Sequence, residues 1–428
     1  MSGIFHPGPA SSRSRLRPFL LAIAVCMLLL ACRPPIAGEG GDATDSGGGS
    51  PLPSDTPAPA VALKPDVLTS VSVQLFRGFG PADAPLQYGQ ALDAYAASNI
   101  ALNLISPIPG YDPFAVEPAA NSVNVWVGTA ADVAPAKAKG LDLVAVGEIT
   151  GRDPTVLVVP AKATKEPLTK LKGTKVLVDM AGAAASLRAA LVEAGMKAGD
   201  VTIVLPDDPS APFDPTQLLD GTVAAAAVSS YDGWARIQEA VVAAGGDPAT
   251  YVSRDLRPPE AALLGELIWA QRSDVADPSL GPAITAFLAV VAQSQVACSQ
   301  AVEDCAGAAA SQSDRTPEGL AWSIDQLDRV LFPSPDGILH IEQAAWDRTT
   351  AAMTAADVSG VSGLTFTNDL VDAVIAALGS QLDFKGASFT PRDDLPLFPP
   401  ADGSVSSPDA GSSTSPSLEP APSGSTAP

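Results

Sequence analysis

Along the middle of this chain the spacing of apolar residues switches repeatedly between the period of a strand and that of a helix. Val71-Ser72-Val73-Gln74-Leu75-Phe76 alternates apolar and polar, as a half-buried strand does. A loop over residues 77–85 follows, and then a helix over 86–98 with Leu92 and Tyr95 on one face. Residues 100–105 and 122–127 are short apolar runs that predict strands. Gly128-Thr129-Ala130-Ala131-Asp132 opens a helix ending near Gly140, and 143–149 predicts a buried strand. The order restarts after Pro167: strand 175–178, helix 183–194 with Leu187 and Leu191 four apart, strand 201–205, helix 216–220, strand 223–228, helix 231–243. Beyond residue 270 the pattern is helical, over 283–297, 317–330, 341–356 and 368–378, with Leu370, Val374 and Leu378 striping the last face. Strand, helix, strand in succession predicts a parallel α/β sheet, and the restart predicts two such lobes joined by a crossover near 155–170.

The two ends are of another kind. Arg13, Arg15 and Arg17 precede thirteen apolar residues, Phe19 to Ala31, and Leu29-Leu30-Ala31-Cys32 resembles a bacterial lipobox. The apolar run is shorter than the roughly 20 residues of a membrane span, and a basic start with small residues before the cut marks a signal peptide. The reading is a lipoprotein signal over 1–31 with Cys32 lipidated, against an ordinary secretory signal in which Cys26 and Cys32 are incidental. Residues 32–64 and 397–428 are rich in Gly, Ser, Pro and Asp, compositions that bury too little to fold, so they predict a disordered tether and tail. The expected body is lobe 1 over 65–160, lobe 2 over 161–255, and a return to lobe 1 with C-terminal helices over 256–396. Net charge is −22, and cleavage after Ala31 would remove three arginines and no acid, giving −25. Such acidity argues against nucleic acid and against docking on anionic lipid, and suits solubility at a cell surface.

Cys298 and Cys305 form the remaining pair. Outside the cytoplasm they predict a disulfide. On one continuous helix they would lie about 10 Å apart along the axis, too far to bridge, so bonding requires a turn near Val302 to Asp304. A metal site is the alternative, and no histidine lies nearby to support it.

Several segments, in order, resemble one family, the substrate-binding proteins of ABC importers that take thiamine precursors, riboflavin, nitrate, sulfonates and taurine. They are Val73-Gln74-Leu75 with Ala84-Pro85-Leu86-Gln87-Tyr88; Trp126-Val127-Gly128-Thr129-Ala130-Ala131-Asp132; Leu143-Val144-Ala145-Val146 running into Gly151-Arg152-Asp153-Pro154; Leu171-Lys172-Gly173-Thr174-Lys175; and Leu218-Leu219-Asp220-Gly221-Thr222-Val223-Ala224. Gly337-Ile338 to Trp346 and Thr367-Asn368-Asp369 look closest to the thiamine-precursor and riboflavin branch. The resemblance implies an α/β type II periplasmic-binding-protein fold, with two lobes, a hinge and a helical C-terminal part. It implies a monomeric, lipid-anchored receptor that delivers a small organic solute to ABC permease and ATPase subunits, without cofactor or metal. A heterocyclic vitamin or precursor, riboflavin or thiamine pyrimidine, leads, and sulfonate, taurine and nitrate are the alternatives. A surface lipoprotein that has lost its ligand is a third reading, to which the departures at Asp83 and Ala224 lend weight. An enzyme related to pyrimidine-precursor synthases is disfavoured, because His340, the one histidine left after cleavage, falls in the helical C-terminal part.

Ligands of such sheets sit beyond the carboxyl ends of strands, which selects the candidate contacts. Arg77, Phe79 and Asp83 follow the first strand, as a contact loop or a solvated one. Tyr88 and Trp126 are either cleft walls or core. Thr129 is a hydrogen-bonding candidate. Arg152 is either a ligand contact or, with Asp153, a hinge element, and Ser186 either touches ligand or caps its helix. Free N–H groups at 128–130 and 182–186 would suit anionic or carbonyl oxygens. Ser229, Tyr231 and Asp232, closing the last strand of lobe 2, are the favoured grip on a polar ring.

Overall fold

The computed structural model describes residues 63–397 apart from 109, 117, 209, 210, 394 and 396. The signal segment, Cys32, the tether before residue 63 and the tail after 397 lie outside the described residues.

Among the described residues, eleven strands make two sheets. The first holds β1 (Thr69–Leu75), β2 (Ile100–Ile105), β3 (Ser122–Gly128) and β4 (Leu143–Glu148). The second holds β5 (Thr155–Pro160), β6 (Lys175–Val178), β7 (Thr202–Val204), β8 (Ala225–Ser229) and β9 (Tyr251–Asp255). β10 (Leu267–Gln271) and β11 (Thr365–Phe366) return to the first. The orders are β11-β4-β10-β3-β1-β2 and β7-β6-β8-β5-β9. β1 runs parallel to β2 and β3, and β6 parallel to β7 and β8. Each sheet has one strand antiparallel to both neighbours: β10 between β3 and β4, and β5 between β8 and β9. Those two strands are the first that the chain lays down on arriving from the other lobe. This is the type II periplasmic-binding-protein arrangement, with crossovers over 149–154 and 256–266.

The second crossover returns the chain to lobe 1 close to residue 256, but the first falls before β5. The strand Thr155–Pro160, placed in lobe 1 by a boundary at 160, pairs entirely within lobe 2. Apolar spacing shows that a strand exists and says nothing about which sheet it joins. β9 lacks an unbroken apolar run because it is an edge strand, half-buried and exposed by turns.

Helices cover both faces of each sheet, so β3 is buried at all seven positions and reads as a continuous apolar run. The helix expected over 86–98 is two, Ala84–Ala91 and Ala94–Ala97, broken where Asp93 takes φ 56°. Gly281–Gln300 is long and apolar enough to cross a membrane, with mean hydropathy 1.4 over its most apolar 18 residues, yet 89% of that stretch is buried inside the protein. It is the core helix of lobe 1, packed on Ala84–Ala91 and Asp369–Leu378 and under β1 and β2. The helix ends at Ala301 (φ −135°), and Val302–Ala309 leaves in a new direction. That break lets Cys298 and Cys305 bond with a Cα separation of 5.1 Å; it comes one residue before the stretch marked out by the sequence.

Candidate functional site

A cleft of roughly 230 Å3 lies between the lobes. Its walls come from the loop after β1 (Arg77, Phe79), the end of β2 (Ser106), the end of β6 (Asp179, Met180), the end of β8 and the segment after it (Ser229, Tyr231, Asp232, Arg236) and the C-terminal part (Gln312, Asp314). All four strands present their carboxyl ends, where a chain leaving a sheet must turn and expose polar groups.

Arg77 anchors the lobe 1 wall. Its Nε and Nη2 donate to the two oxygens of Glu266, both at 2.8 Å, and Nη1 donates to Asp83 Oδ2 at 2.6 Å. Asp83 is completely buried and also accepts from Gly80 N at 3.0 Å. Burial pulls the Arg77 guanidinium down, but Asp83 and Glu266 outweigh it and hold it well above its ordinary value. Burial raises the Asp83 carboxyl against the pull of Arg77. The cluster carries two carboxylates to one guanidinium.

Asp179 anchors the lobe 2 wall. Its Oδ2 accepts from Ser229 N (2.7 Å) and Oγ (2.9 Å), and Ser229 Oγ accepts from Gly233 N at 3.0 Å. A Cβ on Gly233 would stand 2.6 Å from Val228 Cβ and 2.8 Å from Asp179 Oδ2, so the helix Gly233–Ala243 can start this close to β8 only with glycine there. The other oxygen, Asp179 Oδ1, is buried and has no partner. Burial lifts this carboxyl to about 6, against the hydrogen bonds from Ser229. Tyr231 stands beside it, 2% exposed, its hydroxyl also without a partner. Carried by lobe 2, its ring packs into the main core of lobe 1.

The far wall is a set of ion pairs across the lobes. Arg236 of lobe 2 forms two 2.7 Å bonds to Asp314 and holds Asp232 with Nε at 3.1 Å. Arg315, from the C-terminal part, reaches back to Asp232 (2.9 Å) and Glu239 (2.6 Å). Burial lowers the Arg236 guanidinium, and the two aspartates more than offset it.

Five of the eleven candidate residues therefore line the cleft: Arg77, Phe79, Ser229, Tyr231 and Asp232. Asp83 stands behind Arg77 and sets its position. The others lie elsewhere, for identifiable reasons. Tyr88 packs with Cys298, Cys305 and Leu320 in a core cluster. Trp126 is 1% exposed, donates from Nε1 to Pro113 O at 2.8 Å and stacks on Phe114. Thr129 caps the short helix Ala130–Val133, whose own Asp132 takes the Thr129 N–H at 2.9 Å, so no free N–H cage forms there. Thr129 meets lobe 2 instead: a Cβ on Gly182 would lie 2.6 Å from its Cγ2. Arg152 lies in the first crossover and bonds the carbonyls of Arg329 (2.7 Å) and Val330 (3.1 Å). Ser186 is buried in the second turn of the helix Ala181–Glu193 and caps nothing. The sequence reading missed Asp179, Glu266, Arg236, Asp314 and Arg315. Asp179 carried a signal, since it is the first polar residue at the carboxyl end of β6.

The family model described as NMT1/THI5 like matches residues 81–294. No curated protein matches the chain. A solved structure of a Bordetella bronchiseptica RB50 protein is 14% identical at a TM-score of 0.50, over 72% of this chain and 96% of that one. The alkanesulfonate-binding protein SsuA of Xanthomonas axonopodis pv. citri, bound to MOPS, is 15% identical at 0.48, over 71% and 99%. The desulfurization enzyme DSZB is 11% identical at 0.45, over 72% and 99%. At such identities the likeness is one of fold.

Proposed function

The chain belongs to the NMT1/THI5-like family, and we propose that it is the solute-binding protein of an ABC importer, held outside the membrane through lipid on Cys32, whose lobes close on a small heterocycle bearing N–H donors. The observation that carries this reading is Asp179 Oδ1, a buried acceptor at the cleft with no partner. A buried polar atom left unpaired costs about 1–3 kcal/mol, which a ligand N–H would recover. The Tyr231 hydroxyl offers a second contact, and Phe79 and Phe213 supply apolar wall.

Charge supports a donor-bearing solute over an oxyanion. Arg77 and Arg236 each already hold two carboxylates, so a sulfonate, taurine or nitrate would find its cations occupied and Asp179 unshielded. Size favours one ring. The cleft volume, roughly 230 Å3, is below the ~300–1,000 Å3 of pockets for drug-sized ligands, which favours the thiamine pyrimidine over riboflavin.

Calorimetric titration of the full chain with the aminopyrimidine precursor of thiamine, riboflavin, taurine and nitrate tests this. Expected is binding of the pyrimidine, weakened at least about tenfold by Asp179→Asn, the lower end of the ~1.5–3 kcal/mol of one hydrogen bond to a charged group. Affinity should also fall as pH drops through about 6, where the Asp179 carboxylate takes up its proton. Binding of taurine or nitrate alone would overturn the reading, as would full affinity in the variant.

A further inference from the structure

A second cavity, of roughly 460 Å3, shares no lining residue with the cleft. It lies over the hinge: Gly151 and Arg152 come from the first crossover, Glu260 from the second, and Asp336 and Glu342 from the C-terminal part. At its edge, where β4 ends, is Glu148, only 6% exposed. The backbone N–H of Glu148 is fixed on Leu339 O at 3.0 Å, but its carboxyl makes no hydrogen bond or ion pair among the described residues. Gly151 leaves the room it occupies, since a Cβ there would lie 2.6 Å from Glu148 Oε1.

The rest of the wall does not neutralise this acid. Arg152 points its guanidinium at main-chain carbonyls, and Arg348 is engaged with Ala262 O (3.5 Å) and Glu342 (3.8 Å). His340 Nε2 lies 3.1 Å from the amide nitrogen of Asn368, whose orientation is fixed by the backbone of Ile341, and 3.7 Å from Asp372 Oδ1. Four carboxyl groups therefore face two guanidiniums, and no cluster among the described residues is arranged to hold a metal ion. We propose that this hinge cavity is a second binding site, for a small organic cation whose ammonium or guanidinium N–H groups pair with the carboxyl of Glu148. An occupant touches both crossovers, the segments about which the lobes move.

Burial, then Glu342 and Asp336, raise the Glu148 carboxyl to about 8. It is mostly protonated at pH 7, so pairing with a cation releases close to one proton. Titration of the full chain with agmatine, which carries both cationic groups, is the test, run at pH 7 in two buffers of different ionisation heat. Expected are one agmatine per chain, proton release, at least tenfold weaker binding in Glu148→Gln, and unchanged binding in Asp179→Asn. Glutamine keeps the shape of the neutral acid, and retained binding of the cleft solute by Glu148→Gln verifies its fold. If that solute does not bind, an unshifted melting temperature verifies it, so the two sites stand or fall separately. Absence of agmatine binding, binding that survives in Glu148→Gln, or loss of binding in Asp179→Asn would each overturn the proposal.

Discussion

Two arginine clusters flank the same cleft, and they differ in where their acids come from. Arg77 and Asp83 belong to lobe 1 and Glu266 is the last residue of the second crossover, immediately before β10, and both carboxylates are nearly sealed from solvent. Arg236 and Arg315 reach between lobes, to acids that are 23% to 42% exposed. The first cluster is completed when lobe 1 folds with the end of the crossover that leads into β10, so its energy belongs to folding. The second exists only while the lobes touch, so its energy belongs to closure.

Breaking the first should have the largest effect. Arg77→Met leaves Asp83 and Glu266 buried without their cation, a loss of about 3–5 kcal/mol of stability, measured by urea unfolding of the full chain. A loss under about 1 kcal/mol would put that cluster on a par with a surface pair and erase the contrast. Arg315→Ala should leave the unfolding midpoint nearly unchanged and weaken solute binding about tenfold, because closure forfeits the bonds to Asp232 and Glu239 while each lobe stays intact. Equal damage to stability would show that this cluster too belongs to folding. Asp314→Asn should change affinity least, by about threefold or less, since its partner keeps Asp232 and exposed pairs contribute little.

Period changes in the sequence marked most elements, and the rule that ligands sit beyond strand ends located Arg77, Phe79, Ser229, Tyr231 and Asp232. Pairings across 189 residues, as between Arg77 and Glu266, leave no local trace, and neither do those of Asp314 and Arg315 across 78 and 83 residues. Tyr88 and Trp126 were misleading for a compositional reason. Where aromatics are 5% of the chain and alanine is abundant, the few large rings are consumed in filling core volume, and Trp126 and Trp269 are the largest fully buried side chains among the described residues. Scarcity made them conspicuous without making them functional.

Tyr231 has a calorimetric consequence. Its ring belongs by sequence to one lobe and by packing to the core of the other, so any motion that parts the lobes wets both the ring and the apolar socket it leaves. An aromatic side chain of this kind buries about 150–250 Å2, and removing such area from water lowers the heat capacity. Solute capture by an open form would therefore carry a negative heat-capacity change larger than a ligand this small could produce alone, a thermal record of the stopper sliding home.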